Sequence, residues 1–160
     1  MLFRTSSFAA AALCLIVASG QQVFADGSSD GSSSSSASSS KSSAAPSYAV
    51  AKATVDSGNY AAALPMLVAI TKSAPGNADA WNLLGFTYRN LNQLDASNAA
   101  YLKVLTINPN HLGALEYQGE LFITQGKIKD AEANFAKLQG LCGACEEAGD
   151  LEKALKAAGA

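Results

Sequence analysis

A 34-residue self-similarity constrains this chain more than any other feature of its sequence. Pro75 and Pro109 are separated by this repeat step, and so are Gly85 and Gly119. The same step relates Trp81 to Leu115, Leu67 to Tyr101, Tyr101 to Phe135, and the helix-ending residues Gly58, Asn92 and Gly126 to one another. A period in this range is typical of stacked helical hairpins, each of which buries its apolar face against a neighbour. The repeat therefore predicts an all-helical binding scaffold, but it does not predict what is bound.

Residues 1–25 have the features of an export signal. Arg4 is the only charged residue among them, Phe8–Val17 is wholly apolar, and Ala25 is a small residue at the expected cleavage position. The apolar run is shorter than the roughly 20 residues that cross a bilayer. We therefore predict a signal peptide over residues 1–25, with cleavage after Gly20 and an uncleaved anchor as the alternatives.

A serine-rich segment follows the predicted signal. Twelve of the sixteen residues from 28 to 43 are serine. Such a composition offers no apolar surface that could offset the entropy lost on ordering the backbone. We predict a disordered linker over residues 26–45, which is either a spacer or a neutral leader left after processing.

The charge of the mature chain excludes some classes of partner. Loss of Arg4 with the signal leaves ten basic and thirteen acidic residues, for a formal net charge of −3. No basic run or aromatic–basic interleaving is present, so we expect binding neither to nucleic acid nor to anionic membrane surfaces. Residues 46–160 are long enough for one stacked-helix domain, which we expect to be periplasmic or secreted and to have no membrane span once the signal is cleaved.

The middle copy of the repeat carries a family resemblance. Trp81, Leu84, Gly85 and Tyr88 resemble the W-x2-L-G-x2-Y pattern of the tetratricopeptide repeat, and Pro109 matches its closing proline. The aromatic position of the second helix holds Tyr101, and the two packing-alanine positions there hold Ser97 and Val104. The chain is thus similar to exported bacterial tetratricopeptide repeat proteins. The resemblance implies an all-α fold, a right-handed superhelical stack of antiparallel helix hairpins, with repeats at 44–77, 78–111 and 112–145.

The repeat template sets the expected helices. We predict helices over residues 46–57, 61–73, 78–91, 95–107, 112–125, 128–140 and, as a capping helix begun by Asp150, about 150–158. Asn77 and Asp95 are expected helix starts. Pro65 lies near the first turn of its helix, where the missing N–H costs little, so that helix is expected to continue through it. Gly85 and Gly119 are expected where the two helices of one hairpin cross closely.

The resemblance also implies a concave groove, lined by the first helix of each repeat. Its ligand-facing positions hold Tyr48, Lys52, Asp79, Asn82, Phe86, Arg89, Glu116, Glu120 and Ile123. This mixture of aromatic, amide, basic and acidic groups suits an extended peptide or a partner helix. The alternatives are that these are ordinary solvated faces, or that repeat ends stack between chains in self-association. The two-lysine, two-asparagine clamp of some family members is not reproduced, because Leu83, Gly113 and Tyr117 occupy its positions.

Cys142 and Cys145 are the only chemical motif. Their spacing resembles that of a thioredoxin-type redox pair, which would follow a strand and begin a helix. The preceding segment is expected to be helical, so we expect either a local disulfide or two thiols that stiffen the turn before the capping helix, with a thiol–disulfide redox protein as the alternative. His111 has no recognisable nucleophile partner and is expected to lie at the surface or cap a helix. We expect no enzyme activity, no cofactor and no metal site.

Overall fold

The computed structural model describes residues 47–160, and the predicted signal peptide (1–25) and serine-rich linker (26–45) lie outside the described residues. The described residues form seven helices and no strand. The helices are α1 (Tyr48–Asp56), α2 (Tyr60–Ser73), α3 (Ala78–Asn90), α4 (Leu94–Ile107), α5 (Leu112–Thr124), α6 (Ile128–Cys142) and α7 (Glu146–Ala157). The predicted all-helical fold is confirmed.

The helices stack as consecutive hairpins. Helices α1 and α2, α3 and α4, and α5 and α6 pack in pairs, and each pair contacts the next. The first helix of each hairpin (α1, α3 and α5) forms a continuous row with α7, because α3 contacts both α1 and α5, and α5 contacts α7. No described helix contacts one more than two places away in the chain, which is the contact pattern of a helical-repeat stack.

Turn residues at the repeat step end the first helices. Gly58, Asn92 and Gly126 have φ angles of 77°, 57° and 72°. Glycine takes this left-handed conformation without steric cost, and asparagine takes it more readily than most residues. The prediction that these three positions end helices is confirmed.

In the later repeats, the first helix also begins at positions 34 residues apart. The Asn77 side chain accepts a hydrogen bond from the Ala80 N–H at 3.0 Å, and His111 Nδ1 accepts one from the Ala114 N–H at 3.1 Å. Cys145 occupies the same place before α7. The prediction that Asp95 starts a helix is wrong, because α4 begins at Leu94 after Gln93.

A recurring alanine marks the most crowded level of the stack. Ala80, Ala114 and Ala148 recur at the repeat step and are 0%, 0% and 3% exposed. The larger side chains that are fully buried around them include Leu67, Tyr101, Leu115, Leu121, Leu138 and Leu151. Helix α2 continues through Pro65, as predicted.

The two glycines at close crossings serve different helix pairs. A Cβ atom on Gly85 would lie 2.6 Å from Tyr101 Cε1, so Gly85 permits the close crossing of α3 and α4 that was predicted. A Cβ atom on Gly119 would instead lie 2.5 Å from Leu151 Cδ2. The expectation that Gly119 serves its own hairpin is therefore wrong, since its nearest neighbours belong to α7.

The capping helix begins four residues before its predicted start. Helix α7 spans Glu146–Ala157, and Asp150 lies inside it. Glu146 follows the first residue of α5, Leu112, by the same repeat step that separates Leu112 from Ala78. By position, α7 is therefore a further first helix of the stack. It packs against α5 and α6.

Candidate partner-binding groove

The row of first helices carries two clefts. We call the one between α1 and α3 the first cleft. It has a volume of about 230 Å³ and is lined by residues that include Tyr48, Lys52, Asp79, Asn82, Phe86 and Tyr117. The second cleft lies among α3, α5 and α7. It has a volume of about 410 Å³ and is lined by Arg89, Glu120, Ile123, Thr124, Ala154, Ala157 and Ala158.

The structure divides the predicted groove residues between these clefts. Tyr48, Lys52, Asn82 and Phe86 line the first cleft, and Arg89 and Glu120 line the second. Glu116 is among the linings of neither and is only 8% exposed. Tyr117 and the α7 residues Ala154 and Ala157 line these clefts without being among the predicted groove residues.

An aromatic cluster forms the base of the first cleft. The Phe86 ring lies 5.1 Å from the Tyr117 ring and 6.0 Å, edge to face, from the Tyr60 ring. The Tyr117 ring lies in turn 6.5 Å from that of buried Tyr101. Such pairs add to the stability gained from burial alone. The cluster joins α2, α3, α4 and α5 and holds Phe86 in place before any ligand binds.

Arg89 is held between aromatic rings and a carboxylate. Its guanidinium lies 5.5 Å from the centre of the Phe86 ring and 5.6 Å from that of the Tyr117 ring. Its Nη1 also donates to Glu120 Oε2. The Arg89 and Glu120 side chains are 19% and 26% exposed, so water weakens this ion pair less than it would at an open surface.

A hydrogen bond between two side chains also links α3 to the start of α5. His111 Nε2 lies 3.0 Å from Asp79 Oδ1, while the other ring nitrogen caps α5. The interpretation of His111 as a capping residue is confirmed. At the mouth of the first cleft, Lys52 and Asp56 form an exposed pair within α1 at 2.7 Å.

Glu116 has the most perturbed acid–base behaviour among the groove residues. Burial, followed by the nearby carboxylates of Glu120, Asp150 and Glu147, raises its pKa to about 8, and the positive charge of Arg89 opposes this rise. Burial, with Glu116 and Glu120 close by, also raises the pKa of Tyr117. The carboxylates of α5 and α7 therefore face each other across the α5–α7 contact.

The described residues hold no arrangement typical of a metal site. Residues 47–160 contain no group of three or more His, Cys, Asp or Glu side chains placed to hold a metal ion. Over the same residues, no helix is both long and apolar enough to cross a membrane.

Cys142 and Cys145 are joined as a disulfide at the turn between α6 and α7. Their Cα atoms are 5.6 Å apart. Cys142 is the last residue of α6, and Cys145 immediately precedes Glu146 and Glu147, the acidic start of α7. A helix rather than a strand thus precedes the pair, and two carboxylates follow it, which is an environment that opposes a reactive thiolate.

Two further clefts are formed by α3 with the second helices. Trp81, Leu84 and Tyr88 line both of them, with α2 on one side and α4 on the other. These three residues belong to the W-x2-L-G-x2-Y pattern of the middle repeat. The exposed Leu102 of α4 lies outside all four clefts and is 53% exposed.

The comparisons with known proteins agree with this architecture. Residues 48–111 match the family model described as "Tetratricopeptide repeat". Comparison with curated protein sequences gives no match.

Solved structures share the fold over most of the helical region. A MamA fragment from Desulfovibrio magneticus RS-1 is 28% identical with a TM-score of 0.57, and the alignment covers 59% of this chain and 53% of that one. This chain thus spans about half the length of that relative. The Yersinia enterocolitica type III secretion chaperone SycD, in complex with a peptide of the translocator YopD, is 18% identical with a TM-score of 0.63. That alignment covers 70% of this chain and 88% of SycD.

A third structure extends the comparison. The first repeat domain of Spaghetti (RPAP3), bound to the HSP90 peptide SRMEEVD, is 16% identical with a TM-score of 0.61, and the alignment covers 69% of this chain and 88% of that one. At such identities, SycD and RPAP3 show a shared fold alone. Over residues 48–111, the sequence match and the stacked hairpins together identify tetratricopeptide repeats.

Proposed function

We propose that this chain is a non-catalytic scaffold of the bacterial cell envelope that binds a peptide segment of a partner protein in its concave groove. The observation that carries the proposal is the aromatic cluster of Phe86 and Tyr117 at the base of an open cleft, with Arg89 fixed over both rings. Pre-ordered aromatic and arginine side chains in a partly dry site are the groups that contribute most to binding at protein interfaces.

The shape of the site favours an extended ligand. The two clefts follow one another along the row of first helices, and polar side chains such as Lys52 and Asn82 border the aromatic base of the first. A peptide laid across the row could place one side chain in each cleft while its backbone meets the polar rim. SycD and the RPAP3 domain, which share the fold, are both solved with peptides bound.

The envelope location is the part of the proposal that rests on sequence. Residues 1–25 have the charge and apolar pattern of an export signal. The disulfide between Cys142 and Cys145 is of a kind that persists in oxidising compartments.

Site-specific photo-crosslinking in the source cell tests the groove. A benzophenone amino acid replaces Phe86 in one variant and exposed Leu102 of α4 in a matched control. We expect the position-86 variant to give a discrete crosslinked product, which mass spectrometry identifies as a partner protein. A product from position 102 alone would place the partner on another surface and contradict the proposal.

A pair of double variants then tests whether the cleft contributes affinity. Phe86→Ala with Lys52→Ala removes one apolar and one basic group from the first cleft, and Leu102→Ala with Lys103→Ala removes the same chemistry from α4. We expect the first pair to weaken binding of the identified partner by about tenfold or more, as loss of a buried aromatic contact does, and the second to leave it unchanged. Equal binding by both would overturn the groove assignment.

A further inference from the structure

Glu116 is a buried carboxylate without a protein partner. It is 8% exposed, and among residues 47–160 its side chain takes part in no ion pair or hydrogen bond. Buried charges in proteins are normally paired, because removal of an isolated charge from water is costly. Its oxygens are not among the fully enclosed, unpartnered side-chain atoms, which are Asn82 Oδ1, Tyr101 Oη and Gln125 Oε1. Its carboxyl oxygens therefore keep a small accessible surface.

The surroundings of Glu116 leave an excess of negative charge. The carboxylates of Glu120, Asp150 and Glu147 all raise its pKa, and the guanidinium of Arg89 opposes them. Arg89 is already engaged by Glu120 and by two aromatic rings. Glu116, Glu147 and Asp150 are thus left without a positive counterpart of their own.

The repeat register places these groups on the ligand-facing row. Glu116 lies one repeat step after Asn82, and Asp150 lies one step after Glu116. Further along α7, small Ala154 and Ala157 line the second cleft beside Glu120. Helix α7 therefore extends the groove by one row, with carboxylates at one end of the row and open space at the other.

We propose that Glu116, together with Glu147 and Asp150 of α7, forms an acidic subsite that receives an arginine side chain of the partner polypeptide. This inference rests on the proposed function of the groove. The arginine would lie beside the second cleft, next to Glu120 of its lining, and its guanidinium would supply the counter-charge that the ionised Glu116 carboxylate lacks.

The chemistry of the subsite favours a guanidinium over other cations. The described carboxylates are not arranged to hold a metal ion. A guanidinium is more weakly hydrated than an ammonium group, so it enters a partly buried site at a smaller desolvation cost. Its planar donors can also bond a carboxylate with two parallel hydrogen bonds.

Binding of a guanidinium should also change the ionisation of Glu116. The raised pKa means that the carboxyl group is mostly protonated at neutral pH in the free protein. A cation bound beside it favours the charged form and lowers that pKa. This shift is a second readout, which a merely structural role for Glu116 would not produce.

The test uses the full chain and a short defined probe. Acetyl-Ala-Arg-Ala-Ala-amide is titrated into ¹⁵N-labelled protein and followed by NMR, and the matched citrulline peptide serves as the neutral isostere. We expect saturable shifts of the amides of Glu116, Glu147 and Asp150 with the arginine peptide and about tenfold weaker binding of the citrulline peptide, as for a lost charge-assisted hydrogen bond. The Glu116 side-chain pKa should fall on saturation.

Two variants and one control complete the design. Glu116→Gln and Asp150→Asn should each weaken binding of the arginine peptide, and Asp150→Asn alters an exposed residue that the fold does not need. Glu132→Gln, an equal charge change at an exposed site on α6, should not weaken it. Binding that is unaffected by Glu116→Gln, or equal for the arginine and citrulline peptides, would overturn the subsite. Tighter binding of a lysine peptide would overturn its assignment to arginine.

The outcome is separable from that of the proposed function. If the arginine peptide fails to bind Glu116 while position 86 still crosslinks a partner, the subsite is wrong and the groove stands. If the peptide binds as expected but no partner crosslinks at position 86, the subsite stands and the proposed placement of the partner is wrong.

Discussion

Ser97 shows how one departure from the repeat pattern is accommodated. The pattern places a packing alanine there, but the Ser97 hydroxyl donates a buried hydrogen bond to the Gly85 carbonyl at 2.8 Å. Gly85 is also the residue whose missing side chain lets Tyr101 approach α3. The same pair of residues thus provides both the space and the polar contact at the α3–α4 crossing.

Substitution of two helical glycines by alanine should have opposite effects. Gly85→Ala places a Cβ 2.6 Å from a fully buried ring, and we expect this clash to lower the free energy of unfolding by about 1–3 kcal/mol. The higher helix propensity of alanine offsets this loss by under about 1 kcal/mol. Gly149→Ala has open space around it on α7 and should raise that free energy by about 0.5–1 kcal/mol. Urea unfolding measures both. A stabilising Gly85→Ala would contradict the close crossing.

The buried carboxyl group of Glu116 should make stability depend on pH. Its pKa is about 8 in the folded chain against an ordinary value of 4.5, so the folded state holds a proton that the unfolded state releases. This contribution to the free energy of unfolding is greatest below pH 4.5 and is lost as the pH rises toward about 8. Glu116→Gln, which mimics the protonated form, should remove this part of the dependence.

Thermal unfolding between pH 5 and pH 8 checks this expectation. The Tm of Glu116→Gln relative to the wild type should rise steadily across the range, because only the wild type loses stability through this group. Glu132→Gln changes the same charge on the exposed face of α6 and should follow the wild type. A constant offset between Glu116→Gln and the wild type would count against an elevated pKa.

At the scale of elements, α7 covers the apolar surface of the third hairpin, which α5 and α6 form. Leu151 packs over Gly119 of α5 and is fully buried, together with Leu115 and Leu138 in the same cluster. Without α7 this apolar surface of α5 and α6 would face water. The helix is therefore part of the core and also, through its opposite residues, part of the groove.

Truncation of one buried leucine measures how firmly α7 is docked. Leu151→Ala should lower the free energy of unfolding by about 2–5 kcal/mol, because it removes packed methyl groups and leaves a cavity. Leu141→Ala removes the same atoms from a side chain that is 40% exposed, so the free energy of unfolding should change by less than about 0.5 kcal/mol. Similar costs for the two variants would show that α7 is not docked as described.

The elements differ in how far sequence could predict them. The first six helices follow recurring turn residues such as Gly58 and Gly126, and their predicted bounds agree closely with the structure. Before α7 the template changes, since Gly143 and Cys145 replace the Pro109 and His111 of the preceding copy. Asp150, a good capping residue, is the predicted start of α7, although the repeat step from Leu112 points to Glu146.

The sequence predicts which residues line the groove, but it does not predict the burial or the neighbours of each side chain. The repeat register identifies Phe86 and Arg89 correctly as neighbours on one face, because helix periodicity alone decides this. The burial of Glu116 depends on α7, whose register was not recognised, so its raised pKa could not be anticipated. Tyr117 occupies a position where some family members have a clamp residue, and that comparison gave no sign that its ring contacts Phe86 and Arg89.

At the scale of the whole molecule, contacts are limited to nearby helices. Since no described helix reaches beyond the second one along the chain, stability should be a sum of local terms. Leu151→Ala should therefore speed amide hydrogen exchange in α5, α6 and α7 much more than in α1 and α2. Mass spectrometry of exchanged peptides measures this gradient, and a uniform increase along the chain would contradict it.

The Arg89–Glu120 ion pair and the His111–Asp79 hydrogen bond both connect α3 with α5 or its N-cap. The Phe86–Tyr117 ring contact crosses the same boundary, whereas α1 and α3 meet without any such link. The contact between α3 and α5 should thus be stiffer than that between α1 and α3, while the Tyr60–Phe86 ring contact joins the first repeat to the second through α2. The first cleft should therefore adjust to a bulky incoming residue more readily on its α1 side than on the side that Phe86, Arg89 and Tyr117 hold together.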